Sequence, residues 1–477
     1  MIEKQQKMSR INYKKASSYY LIGNIFNKGM SFLTVPIFSR ILSTSDYGIV
    51  TTYNSWITIL SMVIGFALHM GIRAAFIDYE EKMDDFMSVT TTFTIESGFL
   101  LSAIVLATSL LIKISIPFTL IVLCLLQGLA AALIQNYSMY LMMQYRYRFR
   151  TVLMVFPNLI SVILSIVAIL FVVNSDELYM GRIVPTACVY IFFGCLVCFL
   201  IYKKSRTLYN SSYLKYGLAI SAPLVLHGIA LNVLSQSDRT MITWLADASQ
   251  TGIYSLIYNF SMLATVITTS LEGVWVPWFM KRYQENRIKE INVLAVDYLC
   301  VVTCAMVGLI LVGPEVVRVL ASQKYWEGII IIPPVVLSNY LIFVYTMYVN
   351  VEHYHKKTLY ITINTIIAAT TNLVLNYYLI PLFGYIAAAY TTLSAYLIAL
   401  VLHASYAKKL NNEIYPIRMF LPSLLQIALA TATFYLLLNS WWLRWTIAVG
   451  YVAIVFYIYR EKIACFVPSQ MRKNDSE

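Results

Sequence analysis

Uncharged apolar runs long enough to cross a bilayer follow one another along this whole chain, and they constrain its fold more than any other feature. VLMVFPNLISVILSIVAILFVV, residues 152–173, carries no charge at all. A hydrocarbon core about 30 Å thick takes ~20 such residues per helical crossing. The runs are continuous rather than alternating, which excludes a transmembrane β-barrel. Charged residues make up 12% of the chain and apolar ones 59%, with mean hydropathy +0.69. A globular chain carries about 25% charge, and no polar block here is long enough for a separate soluble domain. The chain is therefore read as an all-α, polytopic membrane protein.

Hydropathy places about fourteen helices, over 17–42, 48–72, 89–111, 116–143, 151–173, 180–202, 214–245, 250–278, 291–312, 328–350, 357–380, 384–405, 417–438 and 442–460. The run from Ser17 to Leu42 is too long for a signal-peptide core and shows no small-residue cleavage site, so it reads as the first helix. Fourteen crossings put both termini on one side. Basic clusters fall in alternate loops: Arg146, Arg148 and Arg150; Lys203, Lys204 and Arg206; Lys281, Arg282, Arg287 and Lys289; Lys408, Lys409 and Arg418. By the positive-inside rule that side is cytoplasmic. Only Arg40, Lys113, Arg182, Arg239, Arg318, Lys324 and Arg444 lie toward the outer side, with Lys28 inside the first helix. A missed or extra helix would scramble this alternation. The net charge of +12 is thus a topology signal, and no nucleic-acid partner is expected. Outer loops are short, the longest being GPEVVRVLASQKYWEG, residues 313–328. That is too little to hold a sugar acceptor and catalytic acids, which disfavours a membrane polysaccharide polymerase or glycosyltransferase.

An internal repeat runs at a spacing of about 205 residues. SRILSTSDYGIVTTYNSW (39–56) parallels ITWLADASQTGIYSLIYNF (242–260), and QYRYRFRT (144–151) parallels EHYHKKT (352–358). The offset is an even number of helices, so both halves have the same membrane orientation. The expected organisation is an N-lobe over 1–202, a C-lobe over 203–410, and two additional helices with a cytoplasmic tail over 411–477. Two parallel halves around a central cavity is a transporter architecture.

At these same stretches the sequence resembles the polysaccharide-transport branch of the multidrug/oligosaccharidyl-lipid/polysaccharide (MOP) flippase superfamily, the Wzx-type O-antigen and capsule repeat-unit flippases. The resemblance is carried by SRILSTSDYGIV, SDRTMITWLADASQTGIYSLIY, VLASQKYWEGIIIIPPVVLS and, most specifically, NLVLNYYLIPLFGYIAAAYTTLSAYLI, and it covers about residues 13–410. It implies two six-helix lobes forming a V that opens alternately to each side of a bacterial cytoplasmic (inner) membrane. It implies a substrate of undecaprenyl-pyrophosphate-linked oligosaccharide, moved from the inner to the outer leaflet. Membrane lipids and other polysaccharide assembly proteins are the implied partners, and no cofactor is expected beyond H+ or Na+ coupling. Multidrug antiporters of the same superfamily share similar turns, so export of small cations is the alternative.

Ionisable groups inside membrane helices cost several kcal/mol and mark functional candidates. Lys28 sits about eleven residues into the first helix, ~16 Å deep at ~1.5 Å per residue, either facing the cavity or paired with a carboxylate for packing. His227 lies at nearly the same depth in helix seven, where a buried, hydrogen-bonded histidine is the favoured reading. Asp238 and Arg239 are adjacent and so point about 100° apart on a helix, which makes a mutual salt bridge poor. One is expected at the cavity and the other against a neighbouring helix. Arg40 is a substrate contact or an interfacial residue. Arg73 is an inner-side anchor or a phosphate contact. The candidate substrate-binding set is Lys28, Arg40, Arg73, Asp238 and Arg239, and the candidate ion-coupling set is Glu96, Glu272 and Asp297. Cys195 and Cys198 have zinc-like spacing without a second ligand pair, and read as packed thiols. His353 and His355 read as loop residues, so no metal site is expected.

Overall fold

The computed structural model describes residue 30, residues 34–112 and residues 116–466. These residues are overwhelmingly helical, with no strand among them. After helical residues 34–41 come α1 (Thr44–Gly65), α2 (Leu68–Asp78), α3 (Met83–Ile112), α4 (Phe118–Met143), α5 (Tyr147–Phe171), α6 (Leu178–Lys204) and α7 (Ser211–Leu245). Then follow α8 (Ala248–Ser261), α9 (Leu263–Gln284), α10 (Ile288–Leu320), α11 (Ile332–Tyr354), α12 (Thr358–Leu410), α13 (Leu421–Leu436) and α14 (Trp441–Phe466). Among the described residues, 11 helices are long and apolar enough to cross a membrane, and α7 adds 35 residues of helix. The polytopic all-α reading holds. Of the expected first helix, only its last part lies among the described residues, and Lys28 lies outside them.

Three boundaries show how local chemistry and packing share the work. α1 starts at Ser43, whose hydroxyl accepts from the Asp46 amide while the Asp46 carboxylate accepts from the Ser43 amide, a reciprocal cap. The helix expected over 48–72 is broken, because Phe66 and Ala67 take left-handed φ values of 45° and 49°. That conformation is costly for residues with a Cβ and persists only where packing over-determines it. Around the break Ile64, Ala67 and Leu68 are all within 2% of full burial. Within α12, Gly384 has φ 60° and ψ −146°. Asn372 and Thr392, 20 residues apart in sequence, hydrogen-bond at 3.2 Å. A straight helix would separate them by about 30 Å, so the chain folds back at Gly384, as the separate helices expected over 357–380 and 384–405 require.

The described residues form two compact units. The first takes the chain through Leu256 together with Thr358–Ala395. In it α1 packs on α4 and α7, α4 on α6, α5 on α6, and α2 on α7. Ile72, Phe86, Met87, Tyr137, Tyr140, Leu141 and Val197 form one buried cluster. Lipid is as apolar as these side chains, so close packing rather than water exclusion holds such helices together. The second unit takes Ile257–Lys357 and the chain from Tyr396 onward. α10 is its centre, with Val302, Met306 and Ile310 fully buried and α9, α11, α13 and α14 packed around it. The two last helices are therefore tied into this unit. Arg444 of α14 is wholly buried, donates to the Glu315 carboxylate of α10 and reaches the Leu311 carbonyl at 3.3 Å.

Candidate functional site

The two copies of the sequence repeat meet each other within the first unit. Gly48 lies so close to α8 that a Cβ there would stand 1.7 Å from the Ala248 carbonyl oxygen, and a Cβ on Gly252 would stand 2.0 Å from the Thr44 carbonyl oxygen. Each glycine thus abuts the residue that precedes its own repeat partner by four, which is the signature of a local two-fold relation. Thr44 and Ser249 bond through their hydroxyls at 2.6 Å. The matched polar residues behave alike: Asp46 accepts the Tyr179 amide at 3.2 Å, and Gln250 accepts the Tyr385 amide at 3.1 Å. Each of these fixes the start of a helical segment, α6 in one case and the part of α12 beyond Gly384 in the other.

From that crossing a hydroxyl-rich seam runs between α1 and α7. Thr52 bonds Thr243 at 2.7 Å, and Thr243 bonds Thr251 at 2.7 Å. Trp56 Nε1 donates to Thr240 Oγ1 at 2.9 Å, and Ser55 donates to Gln236 Oε1 at 3.3 Å. Hydroxyls that serve both as donor and acceptor can change partners without leaving a buried charge. The seam is therefore polar and uncharged.

Of Asp238 and Arg239, one is expected at the cavity and the other against a neighbouring helix; in the structure Asp238 is fully buried and Arg239 is 5% exposed. The Asp238 carboxylate accepts from Tyr254 OH at 2.6 Å, Thr392 Oγ1 at 2.7 Å and Asn376 Nδ2 at 2.7 Å. Asn376 also donates to Asn372 Oδ1 at 3.2 Å and accepts from Thr391. The fold-back at Gly384 makes this cluster, by bringing residues 391 and 392 beside 372 and 376. A buried carboxylate is tolerable only with such donors. Arg239 turns along its own helix, its guanidinium donating to the Ser235 carbonyl at 3.0 Å and to Gln236 Oε1 at 3.2 Å. Of the pair, the aspartate is the one that faces neighbouring helices.

Of the other nominated residues among those described, Arg40, Arg73 and Glu96 are exposed, and Glu272 and Asp297 are half-buried in the second unit. Cys195 and Cys198 are free thiols, and His355 Nε2 lies 3.1 Å from Tyr283 OH. Sequence reasoning missed Asn372, Asn376, Thr391 and Thr392. Their signal was present: Asn372 and Asn376 stand four apart in an apolar run, on one helical face. It also missed Glu352 and His403, and the Arg444–Glu315 pair.

The family described as polysaccharide biosynthesis protein matches residues 13–283, more than half of the chain. A Haemophilus influenzae protein of the Lsg locus is 22% identical over 352 residues, covering 69% of this chain and 84% of the relative. Among solved structures, the lipid II flippase MurJ in an inward closed conformation superposes with a TM-score of 0.63 at 18% identity, covering 94% of this chain and 99% of that one. An inward-facing multidrug resistance MATE family transporter of the MOP superfamily superposes with a TM-score of 0.57 at 11% identity, covering 83% and 97%. At these identities the structural likeness establishes the fold.

Proposed function

Because this chain belongs to the polysaccharide biosynthesis protein family, we propose that it is a flippase for lipid-linked oligosaccharide. It moves undecaprenyl-pyrophosphate-linked repeat units from the cytoplasmic to the outer leaflet of the bacterial inner membrane, with both termini cytoplasmic. The observation that carries the reading is the reciprocal seam at Gly48 and Gly252. Two copies of one repeat touch through hydroxyls and bare backbone, a contact that can part and re-form as access alternates. In the proposed orientation this crossing lies at the outer end of the bundle.

A diphosphate crosses hydrocarbon only when escorted by fixed cations. Lys28, Arg40 and Arg73 are the residues we assign to it, since Arg239 is turned onto its own helix. The Asp238 cluster is assigned to the coupling ion. Its carboxylate, amide and hydroxyl oxygens suit a proton or a small hard cation such as Na+, and Glu96, Glu272 and Asp297 are the alternative coupling carboxylates. The transport reading assigns no covalent step.

The test is a deletion strain. Cells lacking the protein should accumulate lipid-linked repeat units on the inner leaflet and lose surface polysaccharide, both restored by the wild-type chain. Unchanged polysaccharide together with raised sensitivity to organic cations would replace this reading with the multidrug antiporter.

A further inference from the structure

The second unit holds a buried acid–base pair that the flippase reading leaves unused. Glu352, near the end of α11, is fully buried, and His403 of α12 is 1% exposed. His403 Nδ1 and Glu352 Oε2 lie 2.9 Å apart. The other carboxylate oxygen, Oε1, is buried with no hydrogen-bond partner, as is Asn350 Nδ2. The Tyr345 ring stacks on His403 at 5.5 Å and on Tyr396 at 6.2 Å, closing the histidine off on one side. His353 follows Glu352 on the same helix and is within electrostatic reach of the pair. Glu272 of α9 and Tyr258 of α8 are within electrostatic reach of Tyr345. Lys356 and Lys357 follow directly, where the Lys357 amide caps the Glu352 carbonyl at 2.9 Å.

The charge balance of this pair depends on one proton. With the proton, the pair is either carboxylate and imidazolium or carboxylic acid and imidazole, neutral in both cases. Without it, a carboxylate with one bare oxygen is left wholly buried beside a single neutral donor, and an uncompensated buried charge is strongly disfavoured. The 2.9 Å contact therefore lets the two groups share that one proton. A conformation that admits water to the pair removes the penalty and releases the proton.

We propose that Glu352 and His403 form a proton-binding site that takes up one proton in this conformation and releases it when the second unit opens. This makes the conformational cycle sensitive to the proton gradient. The proposal rests on the reading of the chain as an alternating-access transporter, but not on which substrate it carries.

The test uses the full-length protein in lipid nanodiscs without substrate. Infrared difference spectra and proton counting are recorded from about pH 5 to about pH 9, bracketing ordinary His and Glu titration. The wild type should take up a proton in a step that Glu352→Gln loses and Asp238→Asn keeps, and His403→Gln should move its midpoint by about one pH unit or more. A Glu352→Gln spectrum superimposable on the wild type overturns the proposal. If that variant does not fold, Glu352→Asp and His403→Gln decide: a midpoint unmoved in both overturns it as well. A polysaccharide defect without this proton step would leave the flippase reading standing and the proton site refuted.

Discussion

Replacing Gly48 by Ala tests whether the repeat-to-repeat crossing is a working contact of the transport cycle. The added Cβ would stand 1.7 Å from the Ala248 carbonyl oxygen and 2.9 Å from the Gly252 nitrogen, and both obstacles are backbone that no rotamer change can move. Ordinary contact begins near 3.4 Å, so α1 must retreat from α8 by well over an ångström. The Thr44–Ser249 bond, now 2.6 Å, would open past hydrogen-bonding range, and Thr52–Thr243, now 2.7 Å, would loosen with it. At about 0.5–1.5 kcal/mol net per bond, the two losses cost the closed crossing ~1–3 kcal/mol. With about 1.4 kcal/mol per tenfold change, its population should fall roughly fivefold to a hundredfold. Helix weakening is not the cause, since Ala favours a helix over Gly by ~1 kcal/mol. The assay is disulfide formation between Thr44→Cys and Ser249→Cys in a chain freed of its seven native cysteines, with surface polysaccharide measured alongside. Cross-linking should slow by about an order of magnitude and polysaccharide should drop while protein level holds. Wild-type cross-linking and wild-type polysaccharide together would refute the reasoning.

Three further outcomes are expected. Asp238→Asn turns an acceptor toward three donors into a group with its own N–H pair, so transport should lose its dependence on the coupling ion while the protein stays in the membrane; an unchanged ion dependence removes Asp238 from coupling. Arg444→Ala leaves Glu315, 18% exposed, with Arg318 at 3.3 Å and Trp445 Nε1 at 3.3 Å; breaking a buried pair costs about 3–5 kcal/mol, so thermal unfolding of the purified protein should fall by several degrees, and an unshifted transition would show that α14 is not anchored by Arg444. Gly384→Ala meets both a left-handed φ of 60° and the Gln250 side-chain oxygen at 2.1 Å, so it should release the fold-back in α12 and abolish activity, whereas Gln250→Ala should lose only the Tyr385 amide contact; equal and mild effects would deny Gly384 its special place.

The membrane class, the positions of the helices and the repeat could be read from the sequence because each depends on local information. Hydropathy over a window of one helix, charge in the loops and a recurring Ser-x-x-Gly turn need no knowledge of what packs where. The turn at Gly384 was legible for the same reason, whereas the start of α1, capped by Ser43, lies four residues before the expected 48. The break at Phe66–Ala67 was not, since two residues with side chains adopt left-handed angles only under the pressure of burial around Ile64 and Leu68.

The charges divide the same way. Their depth followed from counting residues, but the direction each side chain faces depends on the rotation of its helix about its own axis, which only neighbours set. Asp238 and Arg239 looked equivalent as a pair in a helix, yet the fold-back at Gly384 delivers Asn376 and Thr392 to Asp238, while the Arg239 guanidinium donates to the Ser235 carbonyl and Gln236 Oε1. Glu352 and His403 stand 51 residues apart, and no periodicity links them. That the repeat would close upon itself at Gly48 and Gly252, with room for hydrogen and none for carbon, was likewise decided by packing between helices far apart in the chain.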